Sequence, residues 1–285
     1  MQAHLLFVAS ALFFVGLAAG APLDDAIALY KEKKLPEARS ALEKITTTDP
    51  SNAAACHYLG LTLIAAHDPA LQENAIAWLE KAVQLDPDNV SYLFSYGESS
   101  LKFARKNRSL GAANHGRDAL EKIVQLDPTH LDAHEELYQF YEEAPWPVGS
   151  SAKASTHLEA IRKRDPDRAA LLVIETTTNA KDYTEAFKLC DAALAQKPGN
   201  YAVLLEYARI ALKSGQKIDP ALAGLRKCLT LPPPPDEEGP AFVHWRIGNL
   251  LEKIGDKPAA RAAYEASLKV DANFAQARSA LEKLN

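Results

Sequence analysis

His130 and His134 stand four residues apart, with Glu135 and Glu136 directly after the second histidine. On a helix that spacing puts both rings on one turn, where they can share a transition metal, but a closed site needs further ligands and hydrogen-bonded support behind them. No H-E-x-x-H pattern is present, and Thr129-His130 falls at a helix entry beside Asp127-Pro128, so no metal site is expected. Glu135, Glu142 and Glu143 form an acidic set. Carboxylates on a solvated helix face repel one another without making a catalytic pair. Cys56, Cys190 and Cys228 are odd in number and lack C-x-x-C spacing, which excludes a disulfide framework and a zinc ribbon. They read as buried thiols packed like small apolar groups, with one disulfide open to them in an oxidising compartment. Glycines come singly, without a phosphate-cradling loop or a G-x-S-x-G elbow. The expectation is a chain with no catalytic residue, no metal and no cofactor, and so not an enzyme.

What must position such side chains is an all-α framework. The 285 residues are rich in alanine and leucine, prolines recur at intervals, and few segments alternate as strands do. The formal net charge of -5 supports solubility but gives no nucleic-acid footprint. Residues 1–20 differ from the rest: an uncharged apolar run over 5–17 ends in Ala18-Ala19-Gly20-Ala21, which predicts a signal peptide cleaved before Ala21. A buried first helix and an uncleaved anchor are the alternatives, but the run is shorter than the roughly 20 residues that cross a bilayer. The mature chain is therefore expected to have no stable membrane span and to be exported, periplasmic or secreted.

The remainder repeats. Asp49-Pro50, Asp86-Pro87, Asp127-Pro128, Asp165-Pro166 and Lys197-Pro198 each follow a helical pattern, and proline disfavours helix for the residue before it. Leu79-Glu80-Lys81-Ala82-Val83-Gln84-Leu85 and Leu120-Glu121-Lys122-Ile123-Val124-Gln125-Leu126 are nearly the same phrase. The clearest unit is 241–273, where Ile247-Gly248, Leu251, Ala260 and Tyr264 place small residues at a helix crossing and large ones around it. This segment resembles the tetratricopeptide repeat, a 34-residue helix-turn-helix unit. By that resemblance, of the exported bacterial type, the chain is a right-handed α-solenoid of about seven hairpins. They fall near 21–52, 53–89, 90–130, 131–166, 167–200, 201–240 and 241–273, and the polar-faced helix 274–285 caps the stack.

The resemblance also implies a partner face, since the first helix of each such unit lines a concave groove. The stripe pointing away from the second helix contains His57 and Leu61; Phe94, Glu98 and Lys102; Glu135, Gln139, Glu142 and Glu143; Glu175 and Asn179; Arg209 and Lys213; and Trp245, Asn249 and Lys253. Its centre is acidic and its C-terminal third basic, which either orients a complementary peptide or is the ordinary charge of solvated helices. Some relatives hold a C-terminal carboxylate with Lys and Asn in the first unit. Leu23 and Ile27 occupy those places here, so that clamp is absent.

Longer turns are expected inside three hairpins, around Asp68-Pro69, over 105–114 and over 144–151. In the last, Trp146 between two prolines is either an aromatic anchor for a partner on the loop edge or a plug folded onto its own hairpin. The function expected is a non-catalytic scaffold that binds a protein or peptide of unknown identity in the groove and does not bind nucleic acid. The alternative is an envelope assembly or structural factor acting through self-association or the loop edge. The oligomeric state is not set by these features.

Overall fold

Helix ends in this chain are placed by side chains that take up the backbone donors of a first helical turn. Asn52 Oδ1 accepts from the Ala55 N–H at 3.0 Å, Asn89 Oδ1 from Tyr92 at 3.3 Å, and Asn200 Oδ1 from Val203 at 3.3 Å. Ser109, Ser150, Asp165, Asp182 and Asp256 do the same for their helices. Each such cap contributes on the order of 1 kcal/mol. The computed structural model describes residues 21–145, 148–235 and 237–284. The leader expected over 1–20 and Trp146 lie outside them.

Among the described residues the chain is all helical and without strands, fifteen α-helices packed mainly in consecutive pairs. The pairs are α1 (Ala21–Lys31) with α2 (Leu35–Thr48), α3 (Ala53–Ala65) with α4 (Gln72–Leu85), and α5 (Val90–Asn107) with α6 (Leu110–Leu126). Next come α7 (Leu131–Glu143) and α8 (Ser151–Arg162), then α9 (Pro166–Asn179) and α10 (Tyr183–Gln196). The series ends with α11 (Tyr201–Ser214) and α12 (Ile218–Cys228), α13 (Pro240–Lys253) and α14 (Lys257–Val270), and the single α15 (Ala275–Leu284). No helix among the described residues is long and apolar enough to cross a membrane.

Two compact units divide the chain inside α7, one up to Leu137 and one from Tyr138. In the first, Ala26, Leu42, Leu59, Leu63 and Ala75 are among the residues of a buried apolar cluster. In the second, a larger cluster runs from Ile174 to Ala277 and takes in Phe187, Tyr207 and Tyr264. Cys190 and Cys228 are part of it as free, buried thiols, as Cys56 is in the first unit. Burial pushes the Cys190 and Cys228 thiols up to about 12, far from the reactive range.

The paired helices touch where a side chain is missing. A Cβ on Gly97 would stand 2.9 Å from Leu120 Cγ, and one on Gly116 would stand 2.8 Å from the Gly97 carbonyl oxygen, so α5 and α6 meet glycine to glycine. At Gly248 the space is filled by the fully buried Tyr264 ring. Its hydroxyl bonds Asn249 Oδ1 at 2.8 Å and Glu252 Oε2 at 2.7 Å.

The turn expected over 105–114 is corrected. Lengthened helices take up most of that segment: α5 continues to Asn107, Arg108 turns in the left-handed region at φ 54°, and Ser109 caps α6. Around Asp68-Pro69 the extra residues coil into a short 3-10 turn, Pro69–Leu71.

Gly248→Ala is expected to cost about 1–3 kcal/mol in urea unfolding followed by circular dichroism, because Tyr264 has to leave its site. Gly111→Ala, where a Cβ meets nothing within 4 Å, should change stability by no more than roughly 0.5 kcal/mol, in the stabilising direction. Equal losses at both positions would contradict the close-approach account.

Candidate partner-binding faces

In the first unit the outward stripe of the first helices is partly consumed by contacts between hairpins. His57 on α3 is 6% exposed. Its Nε2 lies 2.9 Å from Ser95 Oγ on α5. Ser95 already donates to the Ser91 carbonyl, so it accepts from His57, which fixes the Nε2–H tautomer and leaves Nδ1 buried without a partner among the described residues. Desolvation lowers the ring to about 4. His57 thus joins α3 to α5 and has no face left for a ligand. Phe94 is half-buried, its ring 5.2 Å from His130. Glu98 and Lys102 pair at 2.6 Å along α5, with Lys102 exposed. Glu135 is half-buried, and its neighbour Glu136 receives Arg105 Nη2 of α5 at 3.4 Å.

In the second unit, Gln139 is half-buried, and Glu142 and Glu143 are exposed at the end of α7. Further on, the first helices α9, α11 and α13 pack side by side, and their side chains meet across the seams. Glu206 of α11 is 5% exposed and holds both ends of the Arg209 guanidinium, with Nη2 at 2.6 Å from Oε1 and Nε against Oε2. Thr178 of α9 donates to the same Oε1 at 3.1 Å. Asn179 Oδ1 lies 3.5 Å from Arg209 Nη1 and 3.4 Å from Lys213 Nζ. Glu175, half-buried on α9, acts electrostatically on Arg209.

On α13 the Trp245 ring sits 5.3 Å from Phe242 and 6.1 Å from Phe274 at the entry to α15. Arg246 lies over both α13 rings, 4.7 Å from Phe242 and 5.0 Å from Trp245. Lys253 is exposed at the helix end. Asn249 is engaged by Tyr264 and, with Trp245, lines a cavity of about 550 Å³ among α13, α14 and α15. Sequence reading missed Thr178, Glu206 and Arg246. The one signal was a lone carboxylate in the apolar run of α11, three residues before an arginine.

His130 and His134 do separate local work. His130 Nδ1 accepts the Ala133 N–H at 3.1 Å at the start of α7, while His134 Nε2 lies 3.2 Å from the Pro128 carbonyl oxygen. Among the described residues no group of three or more His, Cys, Asp or Glu side chains is arranged to hold a metal ion.

Three family models, each described as a tetratricopeptide repeat, match this chain. One covers 23–90 and 148–201, another 179–226 and the third 243–274. Together they span well over half of its length. The chain belongs to the tetratricopeptide repeat family. Anaphase-promoting complex subunit 7 of Mus musculus is 24% identical over 207 residues, 72% of this chain. The alignment spans about a third of that relative, 34% of its length. A tetratricopeptide repeat protein from Parabacteroides merdae superposes with a TM-score of 0.58 at 15% identity, covering 93% of this chain and 97% of the other. Yeast Tom70 gives a TM-score of 0.60 at 16% identity, with 93% of this chain and 53% of the other covered. At these identities the structures share the fold. On the first-helix faces of this tetratricopeptide repeat protein, side chains of successive hairpins meet, as Arg105 with Glu136 and Thr178 with Glu206 do.

The buried His57 makes a pH prediction. Its folded pKa is depressed below the ordinary 6.5, so the unfolded chain takes up the proton first. Stability from the neutral ring is complete above about 6.5 and is lost as the pH falls toward 4. The loss should amount to roughly 1–3 kcal/mol. Urea unfolding at pH 7.5 and pH 5 measures it, and His57→Gln should flatten the difference. An unchanged pH slope in that variant would show that the ring titrates in the fold as it does in the unfolded chain.

Proposed function

We propose that this tetratricopeptide repeat protein is a non-catalytic scaffold that takes a protein or peptide partner on the first-helix faces of its hairpins. Proteins of this family typically mediate protein–protein interactions. The observation that carries the reading is the meeting of side chains from successive first helices, Arg105 with Glu136 in one unit and Thr178, Asn179, Arg209 and Lys213 in the other. Such a surface is preformed across several hairpins and presents charges in fixed places, which is what an extended ligand needs for register. Second-helix outer faces carry short ion pairs within one helix, such as Lys188 with Glu185 at 3.1 Å. The curated relative is by its name a subunit of a larger complex, which fits a scaffold role.

Peptide-display selection on the full chain tests this. Peptides selected on the unmodified protein should bind about tenfold more weakly to Lys102→Glu or Lys253→Glu, a loss of about 1.4 kcal/mol. They should bind normally to the second-helix variants Lys188→Glu and Arg226→Glu. Circular dichroism should be the same for all four. Uniform binding to every variant, or losses on the second-helix side, would remove the first-helix faces from the proposal. Loss only in Trp146→Ala would move the surface to the loop edge.

Export belongs to the same reading and is supported by the apolar run over 5–17 and the small residues Ala18 and Gly20. Mass spectrometry of the protein isolated from its own cells should find a chain beginning at Ala21. Recovery of the 1–20 segment on the mature protein would overturn cleavage.

A further inference from the structure

A row of rings crosses the first helices of the first unit. Tyr30 of α1 meets Tyr58 of α3 edge to face, with ring centroids 5.7 Å apart. Tyr58 in turn lies 5.3 Å from His57, and His57 lies 4.7 Å from Tyr92 of α5. His57 is buried, and the three tyrosines are half-buried. No hydrogen bond reaches the hydroxyl of Tyr30, Tyr58 or Tyr92 among the described residues, and none of these oxygens is among the buried polar atoms left without a partner. The row therefore shows water unspent O–H donors beside apolar ring surface.

The second unit displays the complementary chemistry. Between α12 and α13 the chain carries four consecutive prolines, 232–235, all exposed and outside any helix. Proline fixes φ at about −65° and holds the residue before it extended, so such a run is a polyproline II segment before anything binds it. Neither end is loose. Leu231 packs on the buried cluster of the second unit, and the Tyr201 hydroxyl donates to the Glu238 carbonyl at 2.8 Å. A proline has no N–H to give, and of the four carbonyls only that of Pro234 accepts a donor among the described residues, the Glu237 N–H at 3.1 Å. The run offers acceptors and apolar rings, where the row offers donors and apolar rings.

Size and charge fit as well. Steps of 4.7 to 5.7 Å carry the row from α1 to α5. Four residues of polyproline II extend about 12 Å, the same scale. Beside Tyr30, Lys31 and Lys33 are exposed without an ion pair among the described residues, whereas Lys34 is held by Glu32 at 2.8 Å. Asp24 and Asp25 stand more than a helical turn back along α1, and Asp86 acts on Tyr92 at the other end of the row. Glu238, exposed just after the prolines, has no ion pair among the described residues. A run laid with this acidic end toward Lys31 and Lys33 meets opposite charge there and keeps away from Asp86.

Resting on the scaffold reading of the first-helix faces, we infer that this row binds the 232–235 proline run of a second copy of the chain. Proline rings lie against Tyr30, Tyr58 and Tyr92, and the tyrosine hydroxyls donate to the open proline carbonyls. The contact joins two different surfaces, so it is head to tail and can repeat from copy to copy. An interface this small is weak, and assembly depends on concentration.

The full chain is tested by sedimentation equilibrium over a series of concentrations, with a fluorescein-labelled peptide of residues 231–238 read by anisotropy alongside. The average mass of the unmodified protein should rise with concentration. A row variant, Tyr30→Phe with Tyr58→Phe and Tyr92→Phe, keeps the rings and loses the donors. A run variant, Pro233→Gly with Pro234→Gly, loses the stiffness. Each should associate at least about tenfold more weakly, with unchanged circular dichroism. Mixed together they should form a dimer and nothing larger, because each retains the half that the other lacks. The peptide should bind the run variant as it binds the unmodified protein, and should bind the row variant at least about tenfold more weakly. A constant monomer mass would overturn the inference, and with peptide binding intact it would assign the row to a proline-rich segment of another protein. Association that survives in both variants, or a mixture that stays monomeric, would overturn it too. If display-selected peptides depend on Lys102 and Lys253 while both variants associate like the unmodified chain, the scaffold reading stands and this inference fails. If no first-helix variant changes any binding or the mass, both fail.

Discussion

Everything in this fold depends on two helices coming closer than ordinary side chains allow. Where α5 and α6 cross, Gly97 and Gly116 remove the obstruction from both sides, and Leu101 and Leu120 close over the contact. In the last hairpin the same slot has Gly248 on one side and a whole tyrosine ring on the other. The fifth hairpin has no glycine there. Ile174 occupies α9, and the small residues move to α10 as Ala186 and Cys190, all in one buried cluster. The constraint is thus on the summed volume at the crossing and not on one residue type. Once it is met, each pair exposes an apolar ridge that only another pair can cover, and repetition follows.

The same physics explains what could be read from the chain and what could not. Stops between hairpins are explicit, because one local device closes a helix and opens the next. Asp49 accepts the Ser51 N–H, and three residues after the aspartate Asn52 caps α3; Asp86 and Asn89 repeat the spacing. Stops inside hairpins are silent. Lys33, His67, Arg108, Lys181 and Lys217 all turn at positive φ, where glycine would have announced the turn, and among the described residues only Gly215 and Gly255 do so. A left-handed turn at a residue with a Cβ costs roughly 1–2 kcal/mol. The packing of two helices offsets that, so nothing local has to advertise it. This is why 105–114 reads as a loop although all but two of its residues are helical.

Faces were legible to the same degree. A spacing of three and four locates the side of a helix that looks away from its partner, and it placed Arg209, Lys213 and Trp245 on that side. It carries no information about the register between one hairpin and the next. Lys102 stays exposed and Phe94 half-buried, while His57 is closed over by α5 through Ser95. Thr178, Glu206 and Arg246 acquire their meaning only from the neighbouring hairpin.

That dependence on neighbours also accounts for how a buried carboxylate survives in α11. An ion pair taken out of water returns little net stability, and replacing one with apolar residues is often neutral or favourable. In a single-core domain the cost of Glu206 and Arg209 would weigh on the whole structure. In a repeat array stability is close to a sum of hairpin and interface contributions, so a costly polar seam is local. Here it is flanked by strong apolar contacts, with Ile210 and Ala211 fully buried on the same helix and Val243 and Leu250 on the next. Those contacts hold α11 and α13 in register, and the charged side chains between them keep fixed positions although they add little to the stability of the fold.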